Sequence, residues 1–419
     1  MDNATATPAP VKGNAALRFI FVTIFIDVMG LGIIIPVIPK LLEQLGHVNV
    51  SAASEINGWL TFTYALMQVL FSPIMGNLSD RFGRRPILLI SLFGFSIDYV
   101  FMAFAPSIFW LFVGRVIAGI TGATMATATA YIADISTGDK RASNFGIVGA
   151  ASGLGFILGI SGGAFLGEIN LKFPFIAAAA AALFNAFYGY FVLPESLDKE
   201  HRRAFDWKRA NPIGSFMQLS KYSALAALAI AFTLVYIAQK AVEYQLSFYV
   251  YEKFEWSLSS VGILGIFIGV LLIGIQAGLI RLLIPRWGLK KTIIIGLISY
   301  GAGLTLIAFA TKGWMVYLFM IPYCFGGISG PALQAFITGK FAPNEQGELQ
   351  GGLSLLSSIS LIIGPLVMGY SFKFFTHKDS SIYFPGAPYI LGGLLMLISI
   401  LLVLRSFRKD AIEETRHKA

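Results

Sequence analysis

The chain has 419 residues, 56% of them hydrophobic and 13% charged, with a formal net charge of +9 and a mean hydropathy of +0.74. A soluble domain carries roughly 25% charged residues, so this composition excludes an ordinary water-soluble enzyme or binding module. The surplus of Lys and Arg reads as membrane topology, and no nucleic-acid partner is expected.

The chain opens on a polar stretch, MDNATATPAPVKGNA. Apolar runs of roughly 18–25 residues then recur, long enough to cross a bilayer as helices. Backbone groups in lipid must bond internally, and these runs are too long and continuous for barrel strands. Twelve transmembrane helices are expected, over 17–39, 55–76, 87–105, 108–131, 143–166, 173–193, 223–249, 258–281, 292–310, 314–338, 349–374 and 388–406. The first contains Asp27 and is too long for a cleavable signal peptide. With the start of the chain inside, most of the 31 Lys and Arg fall on the cytoplasmic side. Both termini are therefore expected to be cytoplasmic in a multi-pass plasma-membrane protein.

Between the second and third runs lies GNLSDRFGRRP, residues 76–86, which holds Asp80, Arg81, Arg84 and Arg85 between two uncharged stretches. Its sequence recurs in weaker form: RFGRR from Arg81 matches RWGLKK from Arg286, and LGISGG around Gly159 matches IGPLVMG around Gly364. Both pairs have the same offset of 205 residues. The fold class expected is an all-α integral membrane protein of two six-helix bundles. Its units are residues 1–193, a cytoplasmic linker over 194–222, and residues 223–419. Parallel halves of this kind hold a substrate near the bilayer midplane between them. At the repeat offset Asp27, Asp98 and Arg115 face Phe232, Gly303 and Met320, so most intramembrane charge belongs to the first half.

Charge at bilayer depth is costly and marks candidate sites. Asp27, in FIDVMGLG, is read as a proton-carrying acid or a structural hydrogen-bonding one. Asp98, in SIDYVF, is read as a substrate contact, a proton relay or a polar contact between helices. Arg115, in GRVIAG, cannot readily lose its proton and needs an acidic partner; it is read as part of proton coupling or as a structural ion pair. Lys240 and Glu243 lie three apart on one helix face, as a snorkelling pair or as contacts for a charged or zwitterionic substrate. Tyr236, Gln239 and Tyr244 add polar groups and aromatic faces beside them. Asp134 ends the fourth helix, where the helix dipole disfavours an acid and calls for a basic partner. With Gly76, Asp80, Arg81, Gly83, Arg84 and Arg85 it is expected to form a conformational switch that closes the inner ends of the helices.

The absent motifs narrow the function further. The single Cys324 forms no intrachain disulfide, and four scattered His form no metal cluster. There is no Walker loop or GxGxxG, so no nucleotide cofactor is expected. No nucleophile–base constellation suggests an enzyme.

GNLSDRFGRRP resembles the signature between helices 2 and 3 of the major facilitator superfamily. LFVGRVIAGITGATMATATAYIADI resembles helix 4 of its drug/proton antiporters. YALMQVLFSPIMGNLSDRFGRRP, FATKGW, GPALQA and GELQGGLSLLSSISLIIGP are similar to the tetracycline/proton antiporters. The resemblance implies that Asp27, Asp98 and Arg115 serve proton coupling or substrate binding. Three positions depart from it: Ile160 stands where the helix 5 motif has Pro, Tyr300 where a helix 9 acid is expected, and Leu272 where a helix 8 histidine is expected. It implies proton-coupled efflux of small amphipathic compounds from the bacterial inner membrane, with protons and lipid as partners. The fold needs no second copy, so a monomer is expected, without cofactor or bound metal. The rival reading on the same fold is a proton-coupled or facilitative importer of a small organic solute. A membrane-embedded receptor is the alternative from another class.

Overall fold

The computed structural model describes residues 11–136, 138–207, 226–341 and 346–418, and among these it contains no strand. The first half comprises α1 (Val11–Gly46), α2 (Val50–Phe82), α3 (Arg84–Phe104), α4 (Ile108–Thr121), α5 (Thr124–Ile135), α6 (Gly138–Ile169) and α7 (Phe173–Val192). The second comprises α8 (Ala226–Phe254), α9 (Leu258–Ile273), a π-helical turn (Gly274–Leu279), α10 (Ile280–Ala308), α11 (Gly313–Gly326), α12 (Ser329–Thr338), α13 (Gln346–Thr376) and α14 (Ala387–Lys418). Residues 208–225, which include the second part of the expected linker, lie outside the described residues.

Among the described residues, eleven spans are long and apolar enough to cross a membrane, with α4–α5 and α11–α12 each forming one. The twelfth helix, α2, is 33 residues long. It carries Asn57, Thr61, Tyr64, Gln68 and Asn77, which dilute its hydropathy. The outer surface of the bundle is greasy: Phe109, Phe184, Phe191, Val270 and Phe374 are all well exposed. Such a belt suits a lipid solvent and would be a liability in water.

The internal repeat is visible in the backbone. Gly83, between α2 and α3, has φ 110° and ψ 162°, and Gly288, inside α10, has φ 72° and ψ 167°. Both lie in a region that is essentially restricted to glycine. At each one a helix leaving the bilayer turns sharply into the next. The same offset relates the break between α4 and α5 at Gly122 to the break between α11 and α12 at Gly327. A broken membrane helix strands a carbonyl that must find another donor. Gln68 supplies one, donating to the Gly122 carbonyl at 3.2 Å.

Within the first half, α6 lies directly on α1. Gly155, Gly159 and Gly163 recur every four residues along the contact. A methyl at Gly155 would stand 2.5 Å from the Phe25 carbonyl oxygen, and one at Gly163 would stand 2.8 Å from the Ile33 backbone. Small residues at this spacing let two backbones meet, which fixes the part of α1 that carries Asp27.

The two halves touch over only part of their length. They meet where α1 and α6 end and α2 begins, against α8, α9 and the later part of α13. Lys373 pairs with Glu55 at 2.5 Å, Ser54 donates to Gln245 at 2.7 Å, and Tyr251 donates to the Pro36 carbonyl at 2.7 Å. Glu168 accepts from the Ser259 amide at 2.9 Å. Gly58 lies against the Pro365 carbonyl, and Gly262 against Ala164. Among the described residues, the polar contacts that join the halves all lie toward one face, while those of the 80–85 cluster at the opposite face stay within the first half and its linker. The halves therefore close at one membrane face and part toward the basic face.

The two special glycines give a direct test. Gly83→Ala forces a strained backbone and also drives a methyl to 2.5 Å from the Glu195 carboxyl carbon, whereas Gly288→Ala meets nothing within 4 Å. Strain alone costs about 1–3 kcal/mol. Thermal unfolding in detergent is expected to show both variants destabilised, Gly83→Ala the more so; equal, wild-type-like melting would contradict the assignment.

Candidate functional site

The three intramembrane charges of the first half are brought near one another, and they do different things. Arg115 of α4 grips Asp98 of α3: its Nε donates to Oδ1 at 3.1 Å and a second nitrogen donates to Oδ2. Asp98 is fully buried, and Gly114 leaves room for it, since a methyl there would stand 2.7 Å from Oδ1. This fork is the bidentate geometry that a guanidinium favours. The Arg115 guanidinium also lies over the Tyr64 ring, 5.6 Å from its centroid, and Gln68 donates to the Tyr64 hydroxyl at 3.1 Å. Asp27 stands apart. Its Oδ1 is buried with no hydrogen-bond partner among the described residues.

Across the interface, the Lys240 ammonium of α8 holds Glu243 Oε2 at 2.5 Å. The Lys240 stem runs past Gly364 of α13, where a methyl would approach its Cγ to 2.5 Å. Its ammonium sits over the Tyr244 ring at 5.5 Å. The Lys240 side chain is 11% exposed and that of Glu243 34%, so the pair is ordered, with Lys240 behind and Glu243 in front. Gln239 donates to the Tyr300 hydroxyl at 3.3 Å, and Tyr236 packs on Phe232 with ring centroids 4.5 Å apart. A methyl at Gly327 would meet the Tyr300 hydroxyl at 3.8 Å and Leu272 at 3.9 Å, so the two departures in helices 8 and 9 share one neighbourhood.

Between the halves lies a cavity of about 100 Å³. Asn57, Thr61 and Tyr64 of α2 line it with Arg115, Glu243 and Tyr244, and Ile34 and Phe156 add apolar wall. Of the residues singled out from sequence, the structure brings Arg115, Glu243 and Tyr244 to this cavity. Asp98 lies behind Arg115 and Lys240 behind Glu243. Asn57, Thr61 and Tyr64 are not among the residues singled out; the signal that marks them is their helical spacing, continued by Gln68, on one stripe of an apolar run.

The basic cluster is a second centre. Arg84 donates to Asp80 at 2.6 Å, to Asp134 at 3.2 Å and to the Ser79 hydroxyl at 3.2 Å. Glu195, just beyond α7, accepts the Arg84 and Arg85 amides at 2.8 and 3.3 Å. It thereby satisfies free donors at the start of α3, where a carboxylate also complements the helix dipole. Ser196 donates to Asp134 at 3.0 Å, the Arg203 amide to the Asp80 carbonyl at 3.1 Å, and Asn77 to the Asp206 carbonyl at 2.6 Å. The described part of the linker is thus strapped under the first half. Arg85 turns instead to the Tyr190 carbonyl, and Arg81 lies over the Phe82 ring. Gly83 makes the turn, while Gly76 has open space beside it. All these partners lie in the first half or its linker.

The model of the Major Facilitator Superfamily matches residues 20–285 and 278–419. The chain belongs to the Major Facilitator Superfamily. It is 39% identical to the tetracycline resistance protein, class C, of Escherichia coli, over 93% of this chain and 96% of that one. It is 37% identical to the class G protein of Vibrio anguillarum, over 96% and 100%. Among solved structures, the human organic anion transporter MFSD10 superposes with a TM-score of 0.68 at 22% identity, over 95% of this chain and 100% of that one. That likeness concerns the fold.

The fork between Arg115 and Asp98 makes a stability prediction. Removing one partner of a buried pair leaves an uncompensated charge, at a cost of about 3–5 kcal/mol, whereas replacing both by apolar residues is often neutral. Asp98→Asn is expected to lower the melting temperature clearly. Asp98→Leu combined with Arg115→Met is expected to restore it without restoring transport.

Proposed function

We propose that this protein is a proton-coupled exporter of small amphipathic compounds that works by alternating access. The observation that carries the reading is the shape of the interface: closed at one face, parted toward the basic face, with a charged cavity at the junction. The excess of Lys and Arg on the basic face assigns it to the cytoplasm, so the conformation is inward-facing and the compound enters from the cell interior. The bacterial relatives named for tetracycline resistance support efflux across the inner membrane over import.

In this account Asp27 carries the coupled proton. It presents a buried carboxyl oxygen with no hydrogen-bond partner among the described residues, outside the Arg115–Asp98 fork. Protonation changes its charge in a low-dielectric setting, where a charge change strongly biases which of two packings is preferred. Asp98 and Arg115 hold the fixed charges against which that change is felt. The Asp80–Arg84–Asp134 centre, with Gly76, Arg81, Gly83 and Arg85, acts as the conformational switch. It ties the ends of α2, α3 and α5 and the linker into one body, so the basic-face end of the first half moves as a unit.

Asp27→Asn is expected to abolish concentrative transport in proteoliposomes with an imposed pH gradient while leaving substrate binding within a few-fold of wild type. Normal uphill transport with an unchanged pH dependence would remove Asp27 from the coupling role. Asp80→Asn is expected to slow turnover at unchanged affinity, read from initial transport rates beside equilibrium binding; a large loss of affinity with normal rates would contradict the switch.

A further inference from the structure

Resting on the transport reading above, we infer that Glu243 is the residue that selects substrate charge: the cavity takes a positively charged head, and Lys240 is the counter-ion that head must displace. By sequence alone, Lys240 and Glu243 are interchangeable candidates, and a lysine at the cavity would favour an anionic group. The structure separates them. Glu243 lines the cavity, while Lys240 is threaded between α8 and Gly364 of α13 and offers its ammonium to Glu243 from behind.

The opposing wall reinforces this polarity. Arg115 reaches the cavity, but both carboxylate oxygens of Asp98 are committed to it, so it is a neutralised charge. Glu243 takes the Lys240 ammonium through Oε2, and the neighbouring Tyr244 hydroxyl also bonds to its carboxylate. Tyr64 and Tyr244 stand beside it, and each ring already carries a cation of the chain, Arg115 over Tyr64 and Lys240 over Tyr244, as the negative face of an aromatic ring favours. A cation entering here thus meets a carboxylate at the cavity wall, and by displacing the Lys240 ammonium it also gains the Tyr244 ring on which that ammonium lies. An anion meets the same carboxylate and a guanidinium already satisfied.

Size completes the assignment. Drug-sized ligands occupy pockets of roughly 300–1,000 Å³, and this cavity holds about 100 Å³. It accommodates a head group, with the apolar body lying in the cleft that opens toward the basic face. The ammonium or aromatic cation replaces the Lys240 ammonium at Glu243. Lys240, pinned by Gly364, then weakens binding by competing for the same carboxylate.

The test is equilibrium binding to the purified full chain in detergent, with ethidium as the cationic probe, chloramphenicol as the neutral one and anilinonaphthalene sulfonate as the anionic one. Glu243→Gln is expected to weaken ethidium binding by about tenfold or more, the scale of a lost charge-assisted contact, and to leave chloramphenicol unchanged. Lys240→Met is expected to tighten ethidium binding, an effect that a merely structural role for the pair would not produce. The proposal is overturned if wild type fails to bind ethidium, if Glu243→Gln binds it normally, or if the sulfonate binds in a Lys240-dependent way. A melting curve for each variant identifies misfolding, and Glu243→Asp, which keeps the charge, must recover ethidium binding where Glu243→Gln does not. Proton movement on adding ethidium to proteoliposomes is read separately. Binding as expected without proton movement leaves this inference standing and removes the efflux reading.

Discussion

An arginine in the middle of an apolar bundle must be paired, and the Arg115–Asp98 fork is how this protein meets that demand. The guanidinium keeps its charge under all ordinary conditions, so α3 and α4 must stay in register around it. Gly114 supplies the space, and Tyr64 on α2 covers the outer face of the guanidinium. That one contact ties three helices of the first half together and carries a fixed charge to the edge of the interface. The polar stripe on α2 follows from it: a helix beside such a charge, with a broken α4–α5 span to satisfy through Gln68, cannot be uniformly apolar.

Against this fixed pair, two carboxylates retain unused capacity. Asp27 has a buried oxygen without a hydrogen-bond partner among the described residues, and Glu243 is held through one oxygen by a lysine behind it. The proposed roles in coupling and substrate selection fall to these two groups, which are left able to change partners. The closed face follows the same logic. Glu55–Lys373 and the hydrogen bonds of Ser54 and Tyr251 join the halves through single polar contacts spread among small residues. Contacts of this kind can be traded without unfolding either half.

Most of the architecture is legible in the sequence because lipid leaves so few options. Run length marks the helices, and the recurrence of RFGRR as RWGLKK anticipates matching glycine turns at Gly83 and Gly288. The same offset also joins Gly122 to Gly327, a pair of helix breaks that no motif announces. The site is less legible. Asp27, Asp98 and Arg115 stand out because charge in an apolar run is conspicuous. Which of them reaches the cavity depends on rotation about each helix, and that is settled by packing. Lys240 and Glu243 make the point: spacing places them on one face, and only Gly364, from a distant helix, decides which stands in front. Glu195 has no intramembrane context to flag it, yet it satisfies the start of α3 and joins the linker to the basic cluster.

Alternating access requires the two halves to rock as bodies about the charged cavity, closing one face as the other opens. Pulsed electron resonance distances test it most directly, with Cys324→Ala as background and spin labels at Gln44 and Asp379 on the closed face and at Phe82 and Lys340 on the basic face. Lowering the pH or adding a transported compound is predicted to lengthen one distance while shortening the other, and Asp27→Asn to remove the pH response of both. Distances that change in the same sense, or that stay fixed while the labelled protein still transports, would contradict the account.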